Sequence, residues 1–170
     1  MQAPTHLITG ILIQRSFGEI YPLPLRYFLI AFLAIISHGI LDKLAKFTYH
    51  PPDPLINDRF WISYHLFMIF LTFFIFIKYY KNYKFGMIFS IIPDFDWIVI
   101  HSSKLFSFSV PFWKEPILHK ILFSFLDSSP LFKFLNTLPN LSLNRIGIIP
   151  EIVFLIILLF TVEIMQHKSI

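Results

Sequence analysis

The stretch Ser37-His38-Gly39-Ile40-Leu41-Asp42 ends a run of apolar residues, 27–36, that predicts a membrane helix. His38 and Asp42 are four residues apart, so on a helix they lie on one face and point at the same place. An imidazole and a carboxylate gathered at one point are typical metal ligands. Because an aspartate at the centre of a membrane helix costs about 2.5–3.5 kcal/mol, such residues indicate function by default. Two interpretations stay open: a metal site, or an Asp42 that marks the water interface beside a backbone-bonded His38.

The composition indicates an integral membrane protein. Of the 170 residues, 56% are hydrophobic and 14% are charged, whereas about a quarter of the residues of a soluble domain are charged. The mean hydropathy is +0.69. Because the chain has no cysteine, a metal site must use nitrogen and oxygen ligands. The net charge of +4 comes from lysines and arginines beside apolar runs, which is a signal of membrane topology, so no nucleic-acid partner is expected.

The long apolar runs predict an all-α fold, a polytopic membrane bundle of about three spanning helices that forms one domain over residues 1–170. Shorter helices around His6 and His119 are too short to span and are expected to be re-entrant or interfacial. A further apolar run extends from Phe85 to about Ile100. The spanning helices are expected at about Leu25 to Lys46, Phe60 to Lys78 and Ile146 to Met165.

Basic residues predict the orientation in the membrane. Lys78, Lys81 and Lys84 form the densest cluster, between the second spanning helix and the third apolar run, which begins at Phe85. Together with Arg15 and Arg26 they outweigh the cations counted on the other face, so the positive-inside rule places the cluster in the cytoplasm. The polar end of the first spanning helix then faces outward. Both the lysine cluster and the C-terminus are expected on the cytoplasmic side of a bacterial inner or cytoplasmic membrane.

A second acidic motif, Pro93-Asp94-Phe95-Asp96, lies on the third apolar run and should reach the same membrane face as His38 and Asp42. Asp94 and Asp96 are two residues apart and cannot share a helical face, so a common site requires an irregular backbone, which Pro93 allows. The alternative is a turn whose aspartates cap a helix. Convergence with the first motif favours the metal site.

Further histidines and acids extend the candidate site. His50 and Asp53 follow the first spanning helix and are able to return to its end, and His6 lies on the short N-terminal helix. Glu115 and His119 repeat the spacing of four residues.

Three other polar residues have no assigned role. Glu151, near the start of the last helix, is a ligand, a partner of Arg145, or an exposed acid stabilised by the helix dipole, and the last interpretation is preferred. His65 lies one turn after Trp61 in the second spanning helix and has no accompanying carboxylate, and His101 follows the second acidic motif without an assigned role.

Taken together, these short motifs resemble those of the bacterial membrane-bound metal-dependent hydrolases, including LexA-regulated members, whose histidine and aspartate pattern is similar to the zinc-dependent phospholipase C and single-strand nuclease superfamily. The resemblance implies an all-helical fold that holds one or more zinc ions, or another divalent metal, and hydrolyses a phosphoester. The motifs that carry it are Thr5-His6 with Gly10, Ser37 to Asp42, Tyr49 to Asp53, Pro93 to Asp96, and His119.

By position in those motifs, the resemblance implies Asp42 and Asp94 as catalytic residues. The metal ligands it implies are His6, His38, Asp42, His50, Asp94, Asp96 and His119. A substrate that enters at the outer membrane face would most simply be a phospholipid or another lipid-linked phosphate. The alternative is a non-catalytic membrane protein, such as a metal-handling protein, a transporter subunit or a structural partner, in which polar side chains tie the helices together.

Overall fold

The computed structural model describes residues 1–17, 22–111 and 113–167. Of the described residues, 79% are helical and none lies in a strand, which confirms the all-α class. The helices are α1 (Ala3–Ser16), α2 (Leu23–Leu44), α3 (Arg59–Ile91), α4 (Phe95–Leu105), α5 (Ile117–Asp127), α6 (Pro130–Lys133) and α7 (Ile148–His167).

Three helical stretches are long and apolar enough to cross a membrane: Leu23–Phe47, Arg59–Leu105 and Arg145–Gln166. Large apolar side chains cover their outer surfaces; Phe70 and Ile77 of α3, for example, are 70% and 77% exposed. A helix that faces water would carry polar residues there. The architecture is therefore that of an integral membrane bundle, as the composition predicts.

Helix α3 reverses direction close to Tyr83, whose backbone angles of φ −128° and ψ 17° are not helical. Near the start of α3, Tyr64 packs edge-on against Tyr49, with ring centroids 5.6 Å apart. Near its end, Ser90 accepts a hydrogen bond from His38. Because Tyr49 and His38 both belong to the polar end of the bundle, both ends of α3 lie there. The second and third apolar runs therefore form one helical hairpin, with the lysine cluster at its turn.

Helix α1 lies inside the bundle, packed against α3, α7 and α2. Its side chains Leu7, Ile8 and Ile11 are each 0% exposed. Its 14 residues extend only about 21 Å, less than the roughly 30 Å of hydrocarbon in a bilayer. The short, protein-enclosed N-terminal helix expected from the sequence is present, and it carries His6 into the interior.

The closest helix contact joins α1 to the returning half of α3. A Cβ atom on Gly10 would overlap the carbonyl oxygen of Gly86, and one on Gly86 would overlap that of Gly10. Gln14 bridges the same two helices, since its Oε1 accepts from the Gly86 amide at 2.7 Å and its Nε2 donates to the Asn82 carbonyl at 3.0 Å. This contact fixes the level at which α3 returns toward the polar end.

Two local features position the acidic motif at Pro93 and the helix α5, which carries His119. The backbone leaves the α-helix at Pro93, where residues Ile92–Asp94 form a 3₁₀ turn before α4. The irregular backbone expected there is therefore present. On the other side, α5 lies close against α2 at Gly39, where an added Cβ would meet the side chains of Leu122 and Leu126.

Candidate metal centre

Four side chains from three parts of the chain converge at the polar end of the bundle. His38, Asp42, Asp94 and His119 each offer a nitrogen or oxygen atom, and these atoms all lie within 4.8 Å of one another. The His38 Nε2 atom lies 3.1 Å from Asp42 Oδ2 and 3.6 Å from Asp94 Oδ1. The His119 Nε2 atom lies 3.1 Å from the same Asp42 oxygen and 3.3 Å from His38 Nε2. The sequence predicts this meeting of motifs, and the fold produces it.

These separations fit a four-coordinate metal ion. Atoms that bind tetrahedral zinc at about 2.0–2.2 Å lie about 3.3–3.6 Å from each other. Four of the six separations between the candidate ligand atoms run from 3.1 to 3.6 Å, and all six are within 4.8 Å. Two imidazoles and two carboxylates are also a donor set that zinc accepts. The residues present therefore fit such an ion.

In their neutral forms, the two histidines direct lone pairs toward the cluster. The His38 Nδ1 atom lies 2.7 Å from the Ser90 carbonyl oxygen, which only accepts, so Nδ1 donates. The His119 Nδ1 atom lies 3.0 Å from an Asp96 oxygen and donates likewise. In a neutral imidazole the other nitrogen is then an acceptor. Both Nε2 atoms and Asp42 Oδ2 are then three acceptors in mutual contact, an arrangement that a cation or a bound proton between them would stabilise.

Asp96 holds His119 in place from the side away from the cluster. Asp96 is 0% exposed and accepts hydrogen bonds from the backbone amide of His119 at 2.9 Å and from Trp113 Nε1 at 2.7 Å. A carboxylate behind a metal-binding histidine fixes the ring and its tautomer in many metal sites. Asp96, implied as a ligand by the resemblance, therefore lies behind His119 while Asp94 faces the cluster. Trp113 has no sequence signal, because no periodicity or spacing connects it to either motif.

Asp96→Asn is expected to weaken zinc binding about 10- to 100-fold without unfolding the protein, because it removes the charge that orients and strengthens His119. Competition with a chromogenic zinc chelator measures the affinity. Glu115→Gln is the matched control, since Glu115 is an exposed acid that pairs with Lys120 at 2.9 Å. Equal zinc affinity in folded Asp96→Asn protein would show that Asp96 does not support His119 as a ligand.

His6 lies beside the cluster but binds the other oxygen of Asp42. Its Nε2 atom is 3.2 Å from Asp42 Oδ1, which also contacts the Met1 amino group at 3.1 Å. The His6 ring stacks on the His38 ring, with centroids 4.1 Å apart. Burial and the neighbouring His38 lower the pKa of His6, which keeps it neutral. Its buried Nδ1 atom has no hydrogen-bond partner. His6 is therefore outside the group of four yet in direct contact with it.

The other residues implied near the site occupy different positions. His50 accepts from Gln2, with 3.2 Å between Nδ1 and Nε2, and burial lowers the pKa of His50 to about 4. His50 is not one of the four converging residues. Asp53 is exposed, and Glu115 precedes α5, so Glu115 does not share a helical face with His119.

Glu151 is buried, and its expected role as an exposed acid is wrong. Its side chain is 0% exposed and accepts hydrogen bonds from Thr5 Oγ1 at 2.7 Å and the Gln2 amide at 3.2 Å. The pairing with Arg145 also fails, because Arg145 binds Asp58 at 3.0 Å. The sequence shows an acid in the first turn of a helix, but only the packing of α1 onto that turn buries it. Glu151 thereby anchors the helix that carries His6.

A polar cavity of about 610 Å³ lies beside the four converging residues. Asp42, Asp94 and His119 form part of its wall, so the cluster is accessible from this space. The other polar lining residues include Lys46, His50, His101, Asn140 and Ser142, and Trp97 forms an aromatic wall. We call this cavity beside the four converging residues the polar cavity. His65 lies elsewhere, with its Nδ1 atom 2.8 Å from the Trp61 carbonyl oxygen.

Protonation of His119 should compete with metal binding. Burial disfavours the charged form, but hydrogen bonds to Asp42 and Asp96 outweigh it and raise the pKa of His119. The proton therefore stays bound to a higher pH than on an ordinary histidine, whose pKa is about 6.5, and a metal must displace it.

Zinc affinity is consequently expected to fall as the pH is lowered from about 8 to about 6, with proton release on binding. Titration calorimetry in buffers of different ionisation enthalpy measures both quantities. A zinc affinity that is constant over this range, without proton release, would contradict the involvement of His119.

Comparison of the chain with protein-family models, with curated proteins and with solved structures finds no match.

Proposed function

We propose that the protein is a membrane-bound, metal-dependent hydrolase that holds zinc, or another divalent cation, with His38, Asp42, Asp94 and His119. The single observation that carries the proposal is the mutual contact of three acceptor atoms. Two imidazole nitrogens and one carboxylate oxygen lie 3.1–3.3 Å apart, and the remaining ring nitrogens are occupied by Ser90 and Asp96.

The exposure of Asp94 to the polar cavity favours a catalytic centre over a purely structural zinc site. Catalytic zinc sites keep one position open for water, and with four protein ligands here that position would open when Asp94 leaves the cation. His38 and His119 are 0% and 3% exposed at their side chains, whereas Asp94 is 37% exposed and borders the polar cavity. A divalent cation at this point would lower the pKa of a water molecule and polarise a phosphoryl oxygen.

The chain's own residues have separate roles in this proposal. Asp42 joins the two histidines through one oxygen, and its negative charge offsets the cation. Asp94, at the border of the cavity, is placed to accept a proton from an attacking water on its carboxylate oxygen. Lys46, whose Nζ donates to the Asn136 carbonyl at 2.9 Å, supplies a positive charge in the cavity wall for an anionic phosphoester.

The membrane setting suggests the substrate class. The cavity opens at one end of a bundle whose outer surface is apolar, so molecules of the lipid bilayer are the nearest phosphoesters. A phospholipid or another lipid-linked phosphate is therefore the proposed substrate.

Purified protein should contain zinc near one or two equivalents per chain and should hydrolyse bis(p-nitrophenyl) phosphate, with loss of turnover after chelation. Elemental analysis and absorbance assays measure the two quantities. Bound zinc without turnover of this diester or of phospholipid would favour a metal-handling protein, and absence of both would leave a structural membrane protein.

The orientation gives a separate prediction. The turn of α3 and the end of α7 lie at the same end of the bundle, where Tyr79 donates to Glu163 at 2.9 Å. Reporter tags inserted after Lys81 and fused to Ile170, which lies outside the described residues, should therefore report the same side. We propose the bacterial cytoplasm, because the cations cluster at this turn. Tags on opposite sides would contradict the hairpin in α3, and two external tags would reverse the orientation.

A further inference from the structure

A second cavity, of about 290 Å³, lies on the opposite side of the metal-ligand cluster from the polar cavity. Its wall consists of α2, α5 and the turn before α4, and every lining residue is apolar. We call this space the apolar groove. It is lined by Phe32, Ile35, Ile36, Ile92, Pro93, Leu118, Ile121, Leu122 and Phe125.

The lining residues on α2 show the order of the two cavities along this helix. Phe32, Ile35 and Ile36 line the apolar groove, His38 belongs to the cluster, and Asp42 borders the polar cavity. With a rise of about 1.5 Å per residue, the groove begins next to the cluster and extends about 9 Å from His38 toward the interior of the membrane. The polar cavity extends the other way, toward the polar end of the bundle.

The other two walls also separate the two spaces. Pro93 lines the groove and the next residue, Asp94, faces the cluster. On α5 the two spaces lie on different faces, since Leu118 and Leu122 line the groove whereas His119 and Phe123 border the polar cavity. Three independent elements therefore place apolar and polar space on opposite sides of the same four ligand residues.

We propose that the apolar groove binds an acyl chain of a lipid whose phosphate group lies in the polar cavity, so that the ester bond is held at the metal-ligand cluster. This inference rests on the proposed hydrolase function and names the part of the substrate that the groove takes. A headgroup on one side and a chain on the other match the two ends of an amphipathic lipid.

The size and position of the groove fit this occupant. A methylene group takes about the volume of a water molecule, roughly 30 Å³, so the groove of about 290 Å³ holds on the order of ten methylenes. Its rim is open to the bilayer, since Phe32, Ile121 and Phe125 are 45%, 64% and 54% exposed. Its floor is closed by Leu122, which is 5% exposed. A chain can therefore enter sideways from the membrane.

The test uses zinc-loaded protein in vesicles of phosphatidylethanolamine and phosphatidylglycerol, with phosphatidylglycerol that carries a photoactivatable diazirine in one acyl chain. Peptide-resolved mass spectrometry should find more labelling in segment 117–127 than in the lipid-facing part of α3 around Ile77. Ile121→Trp fills the groove from a rim position. Because each buried methylene contributes about fourfold to binding, loss of two or more should reduce the groove labelling at least about tenfold.

Two further variants make the labelling result specific. Ile77→Trp places the same change on a surface that is 77% exposed and distant from the groove, and it should leave labelling of segment 117–127 unchanged. Ile35→Trp fills the groove from the opposite wall and repeats the test if Ile121→Trp does not fold. Equal labelling of groove and open lipid-facing surface, or undiminished labelling in both filled variants, would overturn the inference.

Measurements of hydrolysis distinguish the acyl-chain site in the groove from the hydrolase function that the inference assumes. Filling the groove should lower kcat/KM for a long-chain phospholipid at least about tenfold relative to kcat/KM for bis(p-nitrophenyl) phosphate, which has no acyl chain. Ile77→Trp should leave this ratio unchanged. Specific groove labelling without hydrolysis of either substrate would support the groove and overturn the hydrolase. Phospholipid hydrolysis that both filled variants retain in full would overturn the groove alone.

Discussion

Asp42→Asn is expected to leave the protein inserted and folded but to reduce bound zinc by at least about tenfold, because even residues behind a ligand change metal affinity by 10- to 100-fold. Asp42 Oδ2 contacts both His38 Nε2 and His119 Nε2 at 3.1 Å, so it is the atom that joins the two imidazoles. Asparagine keeps the size of the side chain and removes the negative charge that offsets a divalent cation.

The side-chain amide of asparagine can also replace a metal as the partner of the two histidines. If its NH₂ group faces His38 and His119, it donates hydrogen bonds to their Nε2 atoms. The metal-free site should therefore stay hydrogen-bonded while metal binding weakens, which separates this substitution from a change that unfolds the protein. Zinc per chain after dialysis, together with thermal unfolding in detergent, measures both effects.

The matched control for Asp42→Asn is Glu115→Gln, which neutralises an exposed acid paired with Lys120. Glu151→Gln is not a neutral control, because Glu151 is buried against Thr5 and Gln2 and anchors α1. Undiminished zinc binding by folded Asp42→Asn protein would remove Asp42 from the ligands and with it the main support for a metallohydrolase.

Gly86→Ala is expected to produce the largest loss of stability, about 3 kcal/mol, because the added methyl group overlaps backbone and not a movable side chain. A Cβ at this position meets the carbonyl of Gly10 and the Cβ of Gln14. The two helices must then separate, which also strains the Gln14 hydrogen bonds to Gly86 and Asn82.

Separation of α1 from α3 should also disturb the candidate metal site. Ser90, one turn after Gly86, holds His38 through its carbonyl oxygen, so zinc affinity is expected to fall together with the unfolding temperature. Ile88→Leu, at a residue that is 39% exposed on the same segment, is the control and should change neither. Wild-type stability of Gly86→Ala would show that the two backbones do not approach as closely as the structure has them.

The sequence alone predicted the parts of the fold that depend on local chemistry. Apolar runs near the length that a bilayer requires identified the long helices, because an unpaired peptide group in hydrocarbon is too costly for any open structure. The spacing of four residues placed His38 and Asp42 on one face, since that follows from 3.6 residues per turn. Pro93 identified the break in the helix because it lacks an amide proton and clashes with the preceding turn.

Tertiary structure decided which polar residue does what. Asp94 and Asp96 are equivalent as a sequence pattern, yet Asp94 faces His38 while Asp96 lies behind His119, because the direction of each side chain depends on where α5 packs. Glu151 reads as an exposed acid and is buried because α1 lies across its turn.

The residues that position the candidate metal ligands are distant from one another in the chain. His38 lies 52 residues from Ser90 and 81 residues from His119, and the contacts that join them leave no local pattern. They arise only when α3 reverses close to Tyr83 and the glycine contact between α1 and α3 sets the level of its return. Local sequence thus determined the helices and the candidate ligands, whereas the packing of backbone against backbone determined which of them meet.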